Sequence, residues 1–98
     1  MSRDSPQPSV SIVMPTFNRM EFLPATVESV LAQTIEQWEL IIADDGSDRE
    51  TLDYLESLTR DARIRLLRLE HSGNAGAARN AGIAAARAPL VAFLDSDD

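Results

Sequence analysis

The chain has 98 residues, of which 44% are apolar and 26% charged, enough for one globular domain but not for two independent cores. It contains no cysteine, which excludes a disulfide framework, a zinc–thiolate site and a cysteine nucleophile. Nine basic residues, all of them arginine, against sixteen acidic ones give a net charge of −7. Such a chain is a poor general binder of nucleic acid or anionic membranes, and without lysine it has neither a P-loop nor a Schiff-base lysine.

The first nine residues are polar and contain proline, so we expect residues 1–9 to form a flexible lead. They lack the apolar core of a signal peptide. No apolar stretch approaches the ~20 residues that a membrane-spanning helix needs. We therefore expect a cytoplasmic protein, in which any association with a membrane would depend on sequence outside this chain.

Four apolar runs alternate with three helical patterns along the chain. The runs predict strands over Val10–Met14, Trp38–Ala43, Arg63–Leu69 and Leu90–Leu94. The third run is the least apolar, which favours a place near an edge of the sheet, whereas the other three are typical of buried strands. The intervening patterns predict a helix from about Leu23 to Thr34, one beginning at the S-x-x-E capping box of Ser47 and Glu50, and an alanine-rich one over Ala77–Ala88.

The order β-α-β-α-β-α-β, with continuously apolar strands, predicts an α/β fold: a Rossmann-like parallel sheet with helices on both faces. In such sheets ligands bind beyond the carboxyl ends of the strands. The polar segments 15–19, 44–47, 71–74 and 95–98 each follow a predicted strand, so we expect these loops to converge on one edge. No single motif carries this inference; it comes from the four positions together.

Three carboxylates, Asp95, Asp97 and Asp98, follow the fourth predicted strand within four residues. Their mutual repulsion would be relieved by a divalent cation, and Mg²⁺ and Mn²⁺ take oxygen ligands while leaving room for phosphate oxygens. The pattern therefore indicates a metal site that would neutralise a diphosphate. A solvated acidic loop explains the same four residues and stays open.

The segment Asp44-Asp45-Gly46-Ser47 also has two interpretations. Asp45 could accept a hydrogen bond from a base N–H or a ribose hydroxyl. The alternative is turn chemistry, because Asp favours turns, Gly46 supplies a positive φ and Ser47 caps a helix. Both can hold if Ser47 is structural and Asp45 faces the crevice.

Two further segments could contact a nucleotide. Phe17 could pack beside a base and Arg19 could approach a phosphate, or Phe17 could anchor the core. The small residues around Arg79 allow close packing, and that arginine could offer a fork to a diphosphate or be a surface residue. His71 is expected to be a solvated loop histidine.

Taken together, the segments S-I-V-M-P-T-F-N-R, L-I-I-A-D-D-G-S, N-A-G-A-A-R-N-A-G and F-L-D-S-D-D resemble the successive motifs of inverting family 2 glycosyltransferases. The resemblance covers the chain from Ser9 to Asp98. It implies the N-terminal half of a GT-A fold and a nucleotide-diphosphate sugar donor, commonly linked to UDP. By this resemblance, Asp45 would bind the base, Asp95 would face the ribose, and Asp97 would hold Mn²⁺ or Mg²⁺. The other residues implied to bind the donor are Pro15, Thr16, Phe17 and Arg79.

Members of that family continue well beyond the D-x-D motif, and their acceptor site and general base lie in the later part. We therefore expect residues 10–98 to be a nucleotide-sugar-binding domain, truncated after the D-x-D motif, with no catalytic base of its own. The acceptor could be a polysaccharide, a lipid or a protein. On its own the chain is expected not to turn over.

Two other classes remain as alternatives. A nucleotidyltransferase also uses carboxylates and a metal, but usually carries a glycine-rich, basic loop after its first strand, which Pro15–Arg19 is not. A non-catalytic binding module would fit a short chain but leaves the convergence of four polar loops unexplained.

Overall fold

A computed structural model of the chain describes residues 8–18, 20–32 and 37–94. The strands are β1 (Val10–Thr16), β2 (Trp38–Asp44), β3 (Ile64–Arg68) and β4 (Leu90–Phe93), and the helices are α1 (Leu23–Leu31), α2 (Arg49–Leu58) and α3 (Ala75–Ala85). Most of the expected lead at residues 1–9 lies outside the described residues. None of these three helices is long and apolar enough to cross a membrane.

The four strands form one parallel sheet in the order β3-β2-β1-β4. Ile12 is in register with Leu40 of β2 and with Ala92 of β4, and Leu40 in turn with Ile64 of β3. Every residue of β2 is buried, as its central position requires. The predicted parallel α/β architecture is confirmed.

The two faces of the sheet are covered by different helices. On one face, Met14 and Leu40 share a buried cluster with Val27 of α1 and Leu55 of α2. Side chains on adjacent positions of a strand point to opposite faces, so Val13 lies on the other one. There, α3 comes so close that a Cβ on Gly82 would lie 2.4 Å from a methyl carbon of Val13. Because residue 82 is glycine, α3 can pack directly against β1.

The prediction that β4 is a buried strand is wrong for this chain. Leu90 is 67% exposed and Phe93 is 52% exposed, because within the described sheet β4 has a neighbour only on its β1 side. The expectation that β3 lies at an edge is confirmed. Apolar composition therefore did not separate a central strand from an edge strand here.

The helix boundaries differ from the predicted ones where capping residues decide them. Asp48, not Ser47, caps α2, because its side chain accepts a hydrogen bond from the amide of Thr51 at 3.0 Å. Asn74 caps α3 by accepting from the amides of Gly76 and Ala77, so this helix starts earlier than predicted. It also ends earlier, at Ala85. The first helix, α1, ends at Leu31 rather than near Thr34.

Candidate functional site

The loops that follow β1, β2 and β3 are joined to one another at the carboxyl edge of the sheet. The amide of Asp45 donates to the carbonyl oxygen of Thr16 at 2.9 Å, which ties the end of β1 to the loop after β2. The amide of Leu69 donates to the carbonyl oxygen of Asp44 at 2.8 Å, which ties the end of β3 to β2. The predicted convergence is therefore confirmed for these three loops.

The turn after β2 is built around the buried carboxylate of Asp44. It accepts hydrogen bonds from the amide of Gly46 at 3.2 Å, from the amide of Ser47 at 2.9 Å and from the hydroxyl of Ser47. Gly46 adopts a φ of +86°, a conformation that favours glycine. The turn chemistry expected of this segment is present, with Asp44 rather than Ser47 as its organising side chain.

Asn18 connects the loop after β1 to this turn through two hydrogen bonds. Its amide donates to the hydroxyl oxygen of Ser47 at 2.8 Å, and its side-chain oxygen accepts from the amide of Asp48 at 2.8 Å. Asn18 has a φ of +49°, which asparagine tolerates better than most residues. The two contacts fix the backbone next to Phe17, so the orientation of that aromatic ring depends on the turn after β2.

Asp45 holds the loop after β3. Its Oδ1 atom accepts from the amide of Ser72 at 2.9 Å and from the Ser72 hydroxyl at 3.1 Å, and its Oδ2 atom accepts from the amide of Gly73 at 3.0 Å. The bond from the Ser72 amide contributes most to keeping the pKa of Asp45 below its ordinary value, and the Gly73 amide and Ser72 hydroxyl add to it against a smaller opposing effect of burial. Asp45 is therefore an ionised carboxylate at neutral pH.

His71 lies in a loop with its side chain 53% exposed, as expected of a solvated loop histidine, and it also contacts two residues of this site. Its ring stacks on Phe17 with centroids 4.4 Å apart and planes at 23°. Its Nδ1 atom lies 2.9 Å from the carbonyl oxygen of Asp45 and 3.1 Å from the Asp45 Oδ2 atom. Both neighbours are acceptors, so Nδ1 must carry a proton. A Cβ on Gly46 would lie 2.8 Å from His71, so the glycine also makes this approach possible.

The remaining expected site residues are distributed as follows. Pro15 and Thr16 form the end of β1, and Phe17 follows them directly. The Oγ1 atom of Thr16 is buried and has no hydrogen-bond partner within the described part of the chain. Arg79 lies in α3 and is partly buried. Arg19, Asp95, Asp97 and Asp98 lie outside the described residues.

No cluster of three or more histidine, aspartate or glutamate side chains that could hold a metal ion occurs within residues 8–18, 20–32 and 37–94. The expected metal ligand, Asp97, is not among these residues. The donor set of the segment 95–98, three carboxylates in four residues, consists of the oxygen ligands that Mg²⁺ and Mn²⁺ accept. By its chemistry that segment fits such a cation.

Curated relatives match almost the whole chain. The UDP-Glc:alpha-D-GlcNAc-diphosphoundecaprenol beta-1,3-glucosyltransferase WfgD of Escherichia coli is 43% identical over 90 residues, which cover 91% of this chain and 35% of WfgD. The poly(ribitol-phosphate) beta-N-acetylglucosaminyltransferase TarP of Staphylococcus aureus is 45% identical over 93 residues, with 91% of this chain and 28% of TarP covered. The chain thus spans about a third of the length of these relatives.

Solved structures and a family profile agree with these relatives. TarS 1-349 of S. aureus in complex with UDP superposes with a TM-score of 0.84 at 27% identity, over 91% of this chain and 27% of that one. The same protein in complex with UDP-GlcNAc also gives a TM-score of 0.84. This confirms that the sheet and its helices are part of a GT-A glycosyltransferase fold. The profile of Glycosyl transferase family 2 matches residues 11–98, and the chain is therefore a member of that family.

Proposed function

We propose that this chain is the donor-binding part of an inverting glycosyltransferase that transfers a sugar from a UDP-linked donor to an acceptor. The observation that carries the proposal is the set of three loops bonded together at the carboxyl edge of the sheet, around the ionised carboxylate of Asp45. Parallel α/β sheets bind their ligands at this edge. The UDP and UDP-GlcNAc complexes of the related TarS support the choice of donor.

The nucleoside is proposed to bind against Pro15, Thr16 and Phe17. Phe17 is 39% exposed and offers one ring face to a base, while its other face is occupied by His71. The buried Oγ1 atom of Thr16 has no partner among the described residues, and rotation about the Cα–Cβ bond would let it bind a nucleoside hydroxyl or carbonyl. Arg79, in the helix that follows the third loop, would then contact the nucleotide or the loop that supports it.

Asp45 is proposed to recognise the base while it holds the loop after β3. Three hydrogen bonds from Ser72 and Gly73 already reach its carboxylate, and the Nδ1 atom of His71 lies 3.1 Å from it. A base N–H would therefore replace one of these donors. The Ser72 hydroxyl, at 3.1 Å, is the contact most easily given up, because it can rotate toward solvent.

The diphosphate is proposed to bind through the acidic segment that follows β4. Asp95 would face the ribose, and Asp97 would hold a Mn²⁺ or Mg²⁺ ion. When bound, the cation would neutralise the diphosphate and so stabilise the charge that develops on the leaving nucleotide. In this proposal the residues of this chain bind and orient the donor, and the general base and the acceptor site lie outside these 98 residues.

Two matched aromatic substitutions test the nucleoside site. Phe17 and Phe22 are equally exposed, at 39% and 40%, but only Phe17 stacks on His71, whose Nδ1 atom lies 3.1 Å from Asp45. Replacing Phe17 with Ala should weaken UDP binding about tenfold, since stacking on a base is worth roughly 1–3 kcal/mol. Replacing Phe22 with Ala should leave the dissociation constant unchanged. Equal effects of the two substitutions, measured by calorimetric titration with UDP, would contradict the proposed nucleoside site.

A further inference from the structure

A fully buried carboxylate lies at the opposite edge of the sheet from the proposed donor site. The side chain of Glu39, near the start of β2, is 2% exposed. Its Oε2 atom accepts from the Ser11 hydroxyl at 2.6 Å and from the amide of Arg87 at 2.7 Å. Its Oε1 atom accepts from side-chain nitrogens of Arg65 and Arg87, both at 3.1 Å. The carboxylate is thus satisfied by four donors from three separate segments of the chain.

These contacts hold the connection between α3 and β4. Glu39 accepts a hydrogen bond from the amide of Arg87. It also accepts from the Ser11 hydroxyl, whose oxygen in turn accepts from the amide of Ala88 at 3.0 Å. The Arg65 side chain also donates to the carbonyl oxygen of Ala85 at 2.8 Å, where α3 ends. Ala85, Arg87 and Ala88 are therefore held by side chains from β3, β2 and β1, and Glu39 binds the other two of those side chains.

β4 needs such an anchor more than the other strands do. It has four residues, all exposed, and pairs with β1 alone among the described strands. Little apolar burial holds it, so its position depends on its ladder with β1 and on the segment that leads into it. The chain passes from β4 through Leu94 directly into the acidic segment 95–98.

We propose that Glu39 is a positioning residue for β4, the strand that carries the acidic segment into the proposed donor site. By fixing Arg87 and, through Ser11, Ala88, it sets where β4 starts, and β4 is the strand that leads into the acidic segment. This inference rests on the metal and diphosphate role proposed for the acidic segment. Glu39 itself touches no ligand, and it acts from the far end of the strand.

Three substitutions test the proposal in this chain. Glu39→Gln replaces an acceptor oxygen with a donor, and Ser11→Ala removes the bridge to Ala88 at a smaller cost to the fold. Asp61→Asn is the matched control, because Asp61 receives three hydrogen bonds from Arg63 at the same edge of the sheet but has none to β4 or the segment before it. Each variant is compared with the wild type at matched stability, adjusted by temperature.

The first measurement is amide hydrogen exchange of Leu94, whose amide donates to the carbonyl oxygen of Val13 at 3.0 Å, against that of Leu40, whose amide donates to Arg63. Glu39→Gln and Ser11→Ala should speed exchange at Leu94 more than at Leu40. The second measurement is the affinity for UDP with and without Mg²⁺. In both variants, the increase in UDP affinity caused by Mg²⁺ should be about tenfold smaller than in the wild type, as is typical when a residue that orients metal ligands is lost. The affinity for UDP without metal should not change.

Asp61→Asn should change neither the relative exchange rates nor the gain from Mg²⁺. The proposal is overturned if Leu94 stays as protected as Leu40 in both test variants, or if affinities with and without Mg²⁺ fall together. A wild-type chain that binds no UDP would contradict the proposed function instead, and the exchange rates at Leu94 would then decide alone whether Glu39 holds β4.

Discussion

The carboxylate of Asp45 and the backbone amide of Ser72 lie 2.9 Å apart, so the residue directly after the second strand also sets the conformation of the loop after the third. Asp45 thereby fixes His71, and His71 in turn lies against Phe17 of the first loop. A base that binds Asp45 would therefore alter contacts in all three loops. The base recognition proposed for Asp45 would therefore be coupled to the order of these loops.

Replacing Asp45 with Asn should weaken UDP binding about tenfold, which corresponds to losing one hydrogen bond to a charged group. Asn offers a single acceptor oxygen, so the amide of either Ser72 or Gly73 loses its partner. Asp53→Asn is the control: it removes the same charge from an exposed pair with Arg49 on α2, away from the loops. Chemical shifts of the Ser72 and Gly73 amides report the loop directly. Unchanged shifts in Asp45→Asn would contradict this account.

Alanine substitutions at Gly46 and Gly73, which both have a positive φ, distinguish the cost of backbone strain from the cost of a steric clash. Gly73→Ala, with a φ of +70° and open space around it, should lower the free energy of unfolding by roughly 1–2 kcal/mol from strain alone. Gly46→Ala adds a clash with His71 at 2.8 Å to the same kind of strain, and should cost clearly more. Urea unfolding measures both. The order of the two losses is the test, and a larger loss for Gly73→Ala would be incompatible with the packing of His71 on Gly46.

Gly82→Ala tests how closely α3 packs against the sheet. Alanine favours a helix over glycine by about 1 kcal/mol, so an exposed site would gain stability. Here the new methyl group would lie 2.4 Å from Val13, and the variant should instead be destabilised by roughly 1–3 kcal/mol. Adding Val13→Ala should recover part of the loss, which a double-mutant cycle in urea would show. Purely additive losses would mean that the two residues are not in contact.

The stability of the chain should fall in acid partly through Glu39. Burial acts to raise the pKa of Glu39, but hydrogen bonds from Ser11, Arg65 and Arg87 outweigh it and hold that pKa below its ordinary value of 4.5. A carboxyl group with a lowered pKa stabilises the folded state fully above its ordinary pKa and loses that contribution as pH falls through the folded-state value. Wild-type unfolding free energy should therefore drop below about pH 4.5, and more steeply than that of Glu39→Gln. Parallel curves for the two proteins would contradict the assignment.

Local patterns were sufficient to predict the order of elements and the meeting of three loops. The apolar runs of β1 and β2 and the polar residues directly after them define both features without any distant contact. The same patterns could not place β4, because an apolar run is equally typical of a buried strand and of an edge strand such as Leu90–Phe93. The S-x-x-E pattern likewise named Ser47 as the cap of α2, whereas the adjacent Asp48 is the cap.

The residues that sequence analysis missed depend on partners far along the chain. His71 joins the site through Phe17 and Asp45, and its position after a predicted strand was the one available indication. Glu39 sits within an apolar strand, and its partners Arg65 and Arg87 belong to separate segments. Asp44 was grouped with its neighbour, although only folding shows that it turns inward. Tertiary contacts of this kind leave no periodic pattern.

The most direct test of the account is a ¹⁵N NMR titration of the chain with UDP, with and without Mg²⁺. We predict shifts in the amides of Phe17, Asp45, His71 and Arg79 on adding UDP, and further shifts in the segment 95–98 that require Mg²⁺. GDP and dTDP, titrated in the same way, report the preference for the base. A folded spectrum that shows no change at millimolar UDP, with or without the metal, would contradict the claim that this edge of the sheet binds the donor nucleotide.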